Sequence, residues 1–564
     1  MPARVVDYLV AAVSTLGVRH IFGVDGANIE DLYDAIFDSP HDVTGIIAKH
    51  EFSAATMADG YARSTGGLGV VAATSGGGAM NLVAGLTESF ASRVPVLALI
   101  GQPPTALEGN GAFQDTSGRA GTIDAVGLFS EITRYCARVE TGADLPAKVA
   151  RAVGAARRGG PAVLLLPKDV QQADVGDIAP FRPPARFDIQ DEGELVRVRA
   201  ALAAARRTGK VVIIAGDQVA RDDARDELAR LAAILDASVG VAPDAKDVYD
   251  NADPGFRGVA GSMGHPELTA ALRSAALCLL IGTRLPITAR TGLDEPLAHC
   301  VVASIGAAAP HVPAMHAAST NLAGTLATLS DELAEAPSAL DRGLDRGTNS
   351  LTPLQVPPAT GPGLRYRELM ETIGHALPDG TDIFADAGNT GAAAVHHLRI
   401  SRGARFVVAL GMGGMGYAFG AGIGSAFARH RRGDGIRRTV VIAGDGSFYM
   451  HGMEVHTAIE HRLPITFIVL NNNAHGMCVT REQLYYRDRY SFNRFQPSQL
   501  GDGIAAMFPL LPAFSVRAIG ELADTVRHCT ELPGPSFISI DCDPDEIPPF
   551  VPFLTTLEAS RRQQ

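Results

Sequence analysis

No C-x-x-C pair, no apolar run of about 18 residues, no short-period repeat and no excess of positive charge occur in this 564-residue chain. Each absence removes a class of function. The six cysteines, Cys136, Cys278, Cys300, Cys478, Cys529 and Cys542, are scattered, which argues against a zinc module or a disulfide framework and favours a reducing, cytoplasmic compartment. Because "MPARVVDYLVAAVSTLGVRH" carries an acidic residue and no long apolar core, the chain is expected to be neither exported nor inserted in a membrane. Lys plus Arg number 49 against 61 Asp plus Glu, a formal charge of −12, so nucleic acid is not an expected partner. The lack of repeats and low-complexity tracts excludes a solenoid. Tryptophan is absent altogether.

What the chain does contain is an alternation of short β-branched or apolar runs with longer alanine-rich segments of helical period. That is the pattern of parallel α/β layers covered on both faces. At roughly 100–200 residues per domain, the length allows about three to five domains. Strands are expected at "HIFGV", "VTGIIAK", "LGVVAAT", "VPVLALIG" and "PAVLLLP", then at "KVVIIAG" and "LCLLIGT". A last group comprises "DIFADAG", "RFVVALG", "TVVIAGD", "ITFIVLN" and "SFISIDC". These clusters predict three doubly wound parallel-sheet α/β domains, at 1–178, 194–335 and 363–550. Between them, "APFRPPARFDIQDEG" (179–193) and "APSALDRGLDRGTNSLTPLQVPPATGPG" (336–363) are rich in Pro, Gly and charge and read as linkers.

The stretch "VVIAGDGSFYMHG" sets Asp445 between two glycines at the end of an apolar run. Asp-Gly is a common turn dipeptide, so a turn is expected there. A helix then returns, and the strand "PITFIVL" delivers "NNN" at its own carboxyl end. A βαβ crossover places both strand ends on the sheet edge where open α/β sheets bind ligands, so Asp445 and Asn472 can meet. A carboxylate, an amide oxygen and a backbone carbonyl form a hard oxygen set suited to Mg²⁺, whose octahedron is completed by phosphate and water. A diphosphate ligand is thereby implied. Gly444 and Gly446 would let the backbone approach it, and Ser447 would offer a hydrogen bond at a helix N-terminus. In "VVALGMGGMG", Gly411, Gly413 and Gly416 have G-x-G-x-x-G spacing, but a Rossmann site also needs a second strand ending in an acid about 20 residues on. That distance falls in the charged "ARHRRGDGIRR", where Asp434 follows no strand, so no nicotinamide site is expected.

"GDGSFYMHGMEVHTAIEHRLPITFIVLNNN" resembles the signature of thiamine-diphosphate enzymes, and Asp445 and Asn472 stand 27 residues apart, similar to acetolactate synthases. The resemblance implies that Asp445, Asn472 and the carbonyl of Ala474 hold Mg²⁺. "DAGNTG" (386–391) resembles the diphosphate-gripping loop and brings in Gly388, Asn389 and Thr390. "GGMG" (413–416) resembles the loop of Gly413 and Met415 that sets a bulky apolar side chain beneath the cofactor. Gly444, Gly446, Ser447, His475, Gly476 and Met477 are implied as further cofactor contacts, with Gly26, Thr74 and Asn81 from the N-terminal part. In "GIIAKHEFSAATMADGYAR", Glu51 matches the family's H-E-x-x-A-x-x-x-A-x-G-Y-A-R pattern. Its carboxylate would hydrogen-bond the pyrimidine N1' and drive the imino tautomer that generates the ylid at C2. The family arrangement further implies an N-terminal pyrimidine-binding domain, a middle domain and a C-terminal diphosphate-binding domain. Its active sites lie between subunits of a homodimer, or of a dimer of dimers, and Glu51 serves cofactor held by the partner subunit's Asp445.

The shared cofactor permits several reactions. Where pyruvate-decarboxylase relatives carry a His-His pair, this chain reads "GNGAFQDTSG", with Phe113 and Gln114, which resembles acetolactate synthase and other carboligating relatives. "NNNAHGMCVTREQLYYRDRYS" is similar to the acetolactate synthase pattern. The expected enzyme takes a small 2-oxo acid such as pyruvate, releases CO₂ and joins the resulting enamine to an acceptor carbonyl. The alternative is a non-ligating decarboxylase or lyase of another 2-oxo or 2-hydroxy acid. Three departures bear on the choice. "FGVDG" puts Asp25 where the family has proline, and the acetolactate synthase tryptophan at the acceptor pocket falls at Glu482. "SIGAAAPHVP" lacks the acidic ending of the relatives' middle-domain strand, so no catalytic FAD is expected. His475 is a candidate proton relay or loop-holding group.

Overall fold

A computed structural model describes residues 4–176, 179–185, 188–334, 350–401, 403–429 and 437–562. Among the described residues, eighteen strands form three six-stranded sheets, parallel throughout. The first is built from β1 (His20–Val24), β2 (Thr44–Ile47), β3 (Gly69–Ala73), β4 (Val96–Gln102), β5 (Tyr135–Arg138) and β6 (Pro161–Pro167), in the order β2-β1-β3-β4-β6-β5. The second takes β7 (Lys210–Ala215), β8 (Ser238–Val241), β9 (Phe256–Val259), β10 (Ala275–Ile281), β11 (Val301–Gly306) and β12 (Met315–Ala318), in the order β12-β11-β10-β7-β8-β9. The third comprises β13 (Asp382–Ala385), β14 (Phe406–Val408), β15 (Thr439–Gly444), β16 (Ile465–Asn471), β17 (Ala513–Val516) and β18 (Ser536–Asp541), in the order β14-β13-β15-β16-β18-β17. Helices cover both faces, so central strands such as β4, β6 and β16 are buried along their whole length, as continuous apolar runs require.

The expected α/β architecture of three doubly wound sheets is what the chain adopts. Twelve of the strands coincide with the apolar runs read from the sequence, whereas β5, β8, β9, β11, β12 and β17 were not among them. Four of these six are sheet edges, and β5, β12 and β17 are partly exposed, so they carry no unbroken apolar run. The first expected linker ends earlier than Gly193, because Asp191 caps the helix Glu192–Thr208 by accepting from Glu194 N–H at 3.0 Å. Half of the second linker, 336–349, lies outside the described residues, as does the segment containing Asp434.

The helix Glu51–Thr65 of the first sheet packs along the helix Tyr417–Arg429 of the third, and their apolar faces form one core. Backbone meets backbone there: a Cβ on Gly60 would collide with the Ala421 carbonyl, and one on Gly424 with that of Met57. Buried charge ties in the second sheet. Arg405 donates to Asp217 and Asp247 at 2.8 Å, while Arg63 donates to Asp59 at 2.7 Å and lies 3.8 Å from Asp217. These cations hold the Asp217 carboxyl well below its ordinary range against the cost of burial.

Candidate active site

All β-strands within a sheet run the same way, so the loops leaving their carboxyl ends gather on one edge. In the first sheet these loops bring together Asp25 and Gly26 after β1, Glu51 after β2, Thr74 after β3 and Gln114 after β4. His50 caps the following helix by accepting from Phe52 N–H at 3.0 Å, which sets Glu51 in the first helical turn. Glu51 is only 8 % exposed. Its Oε2 accepts from the Asn81 amide at 2.9 Å. Its Oε1 borders Gly78, where a Cβ would stand 3.1 Å away and would also meet Thr74. Gly26 likewise abuts the Thr74 side chain. Thr74 Oγ1 donates to Gln114 Oε1 at 3.3 Å, and Gln114 takes a left-handed backbone at φ +60° against Gly76. Phe113 is 75 % exposed. Asp25 is exposed and accepts from Gly26 N–H, with partial desolvation moving its carboxyl upward.

The third sheet supplies a second group. β15 ends at Gly444 and a helix begins at once with Asp445 (Asp445–His451), so the Asp-Gly expected as a turn is a helix start. The tertiary site overrides the local preference of the dipeptide. β16 ends at Asn471, and the next residues place Asn472 beside Asp445: Ala474 N–H donates at 3.1 Å both to Asp445 Oδ2 and to Asn472 Oδ1. Asp445 has no ion-pair partner among the described residues, and burial pushes its carboxyl up to about 6. Asn389 is 5 % exposed, and neither polar atom of its side chain has a hydrogen-bond partner among the described residues. A Cβ on Gly476 would meet both Asn389 and Asn472, and Gly444 borders Thr390. One on Gly446 would meet His475 at 2.5 Å and Met415 at 3.2 Å. Gly388, Gly413 and Gly416 take positive φ. Met477 lies partly buried against the neighbouring core. His475 packs edge-on to Phe495 with centroids 4.7 Å apart, and Asn493 lies between it and Glu482, a residue only 2 % exposed.

These residues fit a diphosphate with a divalent cation. Among the described residues the buried Asn389 amide is unpartnered and the Asp445 carboxylate has no counter-charge, and the glycines leave the backbone bare. Among the described residues no cluster of three or more His, Cys, Asp or Glu could hold a metal. A cation here would therefore need oxygens from its ligand and from water, as Mg²⁺ commonly does.

Two residues that organise the site were not singled out from the sequence. Asp386 accepts from Gly416 N–H, Ala418 N–H and Ala387 N–H at 2.9 Å and from Ser447 Oγ at 2.8 Å, pinning two loops to one buried carboxylate. It opens the "DAGNTG" stretch, which was the available signal. Glu88, in the helix Gly77–Ala91, accepts from the backbone N–H groups of Gly411, Met412 and Gly413 at 3.1, 2.6 and 3.3 Å. It thereby ties the first sheet's helix to the loop that carries Met415. Nothing local to Glu88 announces this role. Among the described residues, no hydrogen bond joins Glu51, Asn81 or Gln114 to Asp445, Asn472 or Asn389.

The chain matches three thiamine pyrophosphate enzyme families: the N-terminal TPP binding domain over residues 3–121, the central domain over 197–333 and the C-terminal TPP binding domain over 386–540. It is 30% identical over 502 residues to an acetolactate synthase of Mycobacterium avium, covering 86% of this chain and 78% of that one. It is 29% identical over 570 residues to a chain of Methanocaldococcus jannaschii described as a probable acetolactate synthase large subunit, covering 97% and 93%. Among solved structures, benzoylformate decarboxylase from Polynucleobacter necessarius superposes with a TM-score of 0.82 at 18% identity, over 97% of this chain and 100% of that one. The 4-hydroxybenzoylformate decarboxylase of Rhodococcus jostii gives 0.79 at 19% identity, over 96% and 99%. The chain belongs to the thiamine pyrophosphate enzyme family, and it is a thiamine-pyrophosphate-dependent enzyme similar to acetolactate synthases.

Proposed function

We propose that the protein decarboxylates a small 2-oxo acid, pyruvate in the first instance, and joins the acyl unit to an acceptor carbonyl, as an acetolactate synthase-like carboligase. The observation that carries this reading is Gln114, whose side chain lies on Thr74 beside the Glu51 carboxylate. A neutral amide can hydrogen-bond a substrate but offers no acidic proton near neutral pH. The donor's acyl carbon is then spared protonation and remains free to meet a second carbonyl. Phe113, exposed beside it, would give the acceptor an apolar wall.

When bound, the cofactor supplies a nucleophilic ring carbon and an electron sink for loss of CO₂. Asn81 occupies Glu51 Oε2, which leaves Oε1 to hold a proton at the pyrimidine ring. Asp445, Asn472 and the Ala474 carbonyl would hold Mg²⁺, and Gly388, Asn389, Thr390, Gly444 and Ser447 would receive the diphosphate. Met415 and His475 wall the same space at Gly446, where they would set the cofactor's bend. Glu482, through Asn493, would fix His475 rather than touch substrate.

The lack of any hydrogen bond between the Glu51 group and the Asp445 group among the described residues supports active sites completed by a second copy, in a homodimer or a dimer of dimers. The domain division at 1–178, 194–335 and 363–550 belongs to the same proposal. A flavin is left out of it: Gln218, just after β7, accepts from Ala307 N–H at 2.8 Å and donates to the Ser319 carbonyl at 3.0 Å, near the sheet edge where a dinucleotide would bind.

A second reading, decarboxylation without ligation, is favoured by Asp25, a carboxyl at the rim of the Glu51 group, and by the likeness to the two benzoylformate decarboxylase folds. Incubation with pyruvate, Mg²⁺ and thiamine diphosphate decides. Acetolactate as product supports the first reading, whereas aldehyde release from an aromatic or aliphatic 2-oxo acid with no ligated product supports the second.

A further inference from the structure

A cavity of about 390 Å³ opens where the second sheet's edge strand β9 meets the helices Tyr366–Ala376 and Asn389–His397. It lies apart from the loops that carry Glu51 and Asp445, being lined from the other end of Asn389–His397 by His396, His397 and Arg399. Its polar lining is mostly cationic or imidazole: Lys246, His265, His375, His396, His397, Arg367 and Arg399 against one acid, Glu371. Glu371 is already paired to Arg367 Nε at 2.9 Å. A second acid, Glu267, reaches His396 from outside and accepts from Thr352 N–H at 2.8 Å. Among the described residues neither Lys246 nor Arg399 forms an ion pair.

The hydrogen bonds fix which groups can donate into the cavity. His396 is committed, since its Nδ1 lies 2.9 Å from the Met263 carbonyl while its Nε2 accepts from Leu354 N–H at 3.0 Å. His265 stacks on it with centroids 4.3 Å apart and accepts from Val259 N–H at Nδ1, so its proton sits on Nε2 and is given to the His396 carbonyl. Lys246 donates to the carbonyls of Ala394 and Leu398, which uses two of its three N–H bonds. The cluster repels itself. Burial and then Arg399 lower the Lys246 ammonium to about 7, and burial, followed by the neighbouring imidazoles and Lys246, lowers His265 to about 2 and His397 to about 3. The opposite wall is apolar, formed by Phe256, Val259, Leu351 and Pro353.

We propose that this seam is a receptor for a phosphate monoester, with Lys246 and Arg399 taking the phosphate and Phe256, Val259 and Leu351 seating its organic body. Guanidinium and ammonium donors beside an apolar wall match such a ligand in charge and shape, and the volume falls within the range of small-molecule sites. The site is independent of the carboligase reading.

Calorimetry on the holoenzyme, saturated with thiamine diphosphate and Mg²⁺ so that the diphosphate site is taken, tests it with inorganic phosphate and AMP in chloride buffer of matched ionic strength. AMP should bind saturably, with a Kd of about 1 mM or tighter, and more tightly than phosphate. Arg399→Glu, at an exposed position, should weaken AMP roughly tenfold, whereas Arg207→Glu, an exposed control on the helix Glu192–Thr208, should leave it unchanged. No saturable binding of either probe below about 10 mM, equal affinity for phosphate and AMP, or binding indifferent to Arg399→Glu would each overturn the proposal. Thermal melts of both variants confirm that folding is intact when binding is compared.

Discussion

The two carboxylates at the heart of the candidate site are treated in opposite ways by their surroundings. Glu51 is satisfied from within: a neighbouring amide holds one oxygen and leaves the other facing a bare glycine. Asp445 accepts from backbone N–H groups, Ala474 among them, but meets no cation among the described residues, and burial raises its carboxyl. A buried charge without a partner is costly unless something bound supplies the counter-charge. The first acid is thus preorganised for hydrogen-bonding and proton work, and the second is completed only by what it binds.

Four changes would sharpen or break that contrast. The largest effect is expected from Glu51→Gln, which keeps the Asn81 contact in shape but removes the proton-holding group. Turnover should drop about 10²–10⁴-fold while calorimetric cofactor affinity stays within a few-fold; equal losses in both would collapse the distinction between the acids. Asp445→Asn should do the reverse, weakening Mg²⁺ activation about 10–100-fold, read as the metal concentration for half-maximal activity. Glu88→Gln is next, since three backbone N–H groups lose a charged acceptor, worth about 2 kcal/mol. Cofactor affinity should weaken in titrations, and Glu88→Asp should restore it in part.

The smallest effect concerns the seam between the two groups, where His451 stacks on Phe52 with centroids 4.2 Å apart. Burial and His50 lower His451 from 6.5 to about 4. Because the folded protein disfavours the charged ring, the contact's stability is present above about pH 6.5 and is lost as pH falls through about 4. The melting temperature should fall across that window, less steeply in His451→Gln.

How much of this was legible in the sequence depended on distance along the chain. Asp445 and Asn472 could be paired in advance because one βαβ unit delivers both to the same edge, and Glu51 could be placed because a strand and an alanine-rich helix flank it. The short edge strands β5, β12 and β17 could not, since half-exposed four-residue segments lack the apolar run that marks buried strands. Glu88 was hidden for another reason: its partners lie more than 320 residues away, and no local pattern encodes such a contact. His265, His396 and Lys246 are scattered in the same sense, each unremarkable until the fold closes the seam around them.

The central claim is that one chain carries two half-sites that belong to different active sites. Mixing the Glu51→Gln and Asp445→Asn proteins under conditions of subunit exchange tests it most directly, because each mixed dimer would reunite one intact Glu51 with one intact Asp445. At a Mg²⁺ concentration that saturates the wild type but not Asp445→Asn, the account predicts recovery of about a quarter of wild-type turnover from two nearly inactive parents, half of randomly formed dimers being mixed with one good site each. A mixture no more active than its parents, with exchange verified, would show that both acids serve a site within a single chain.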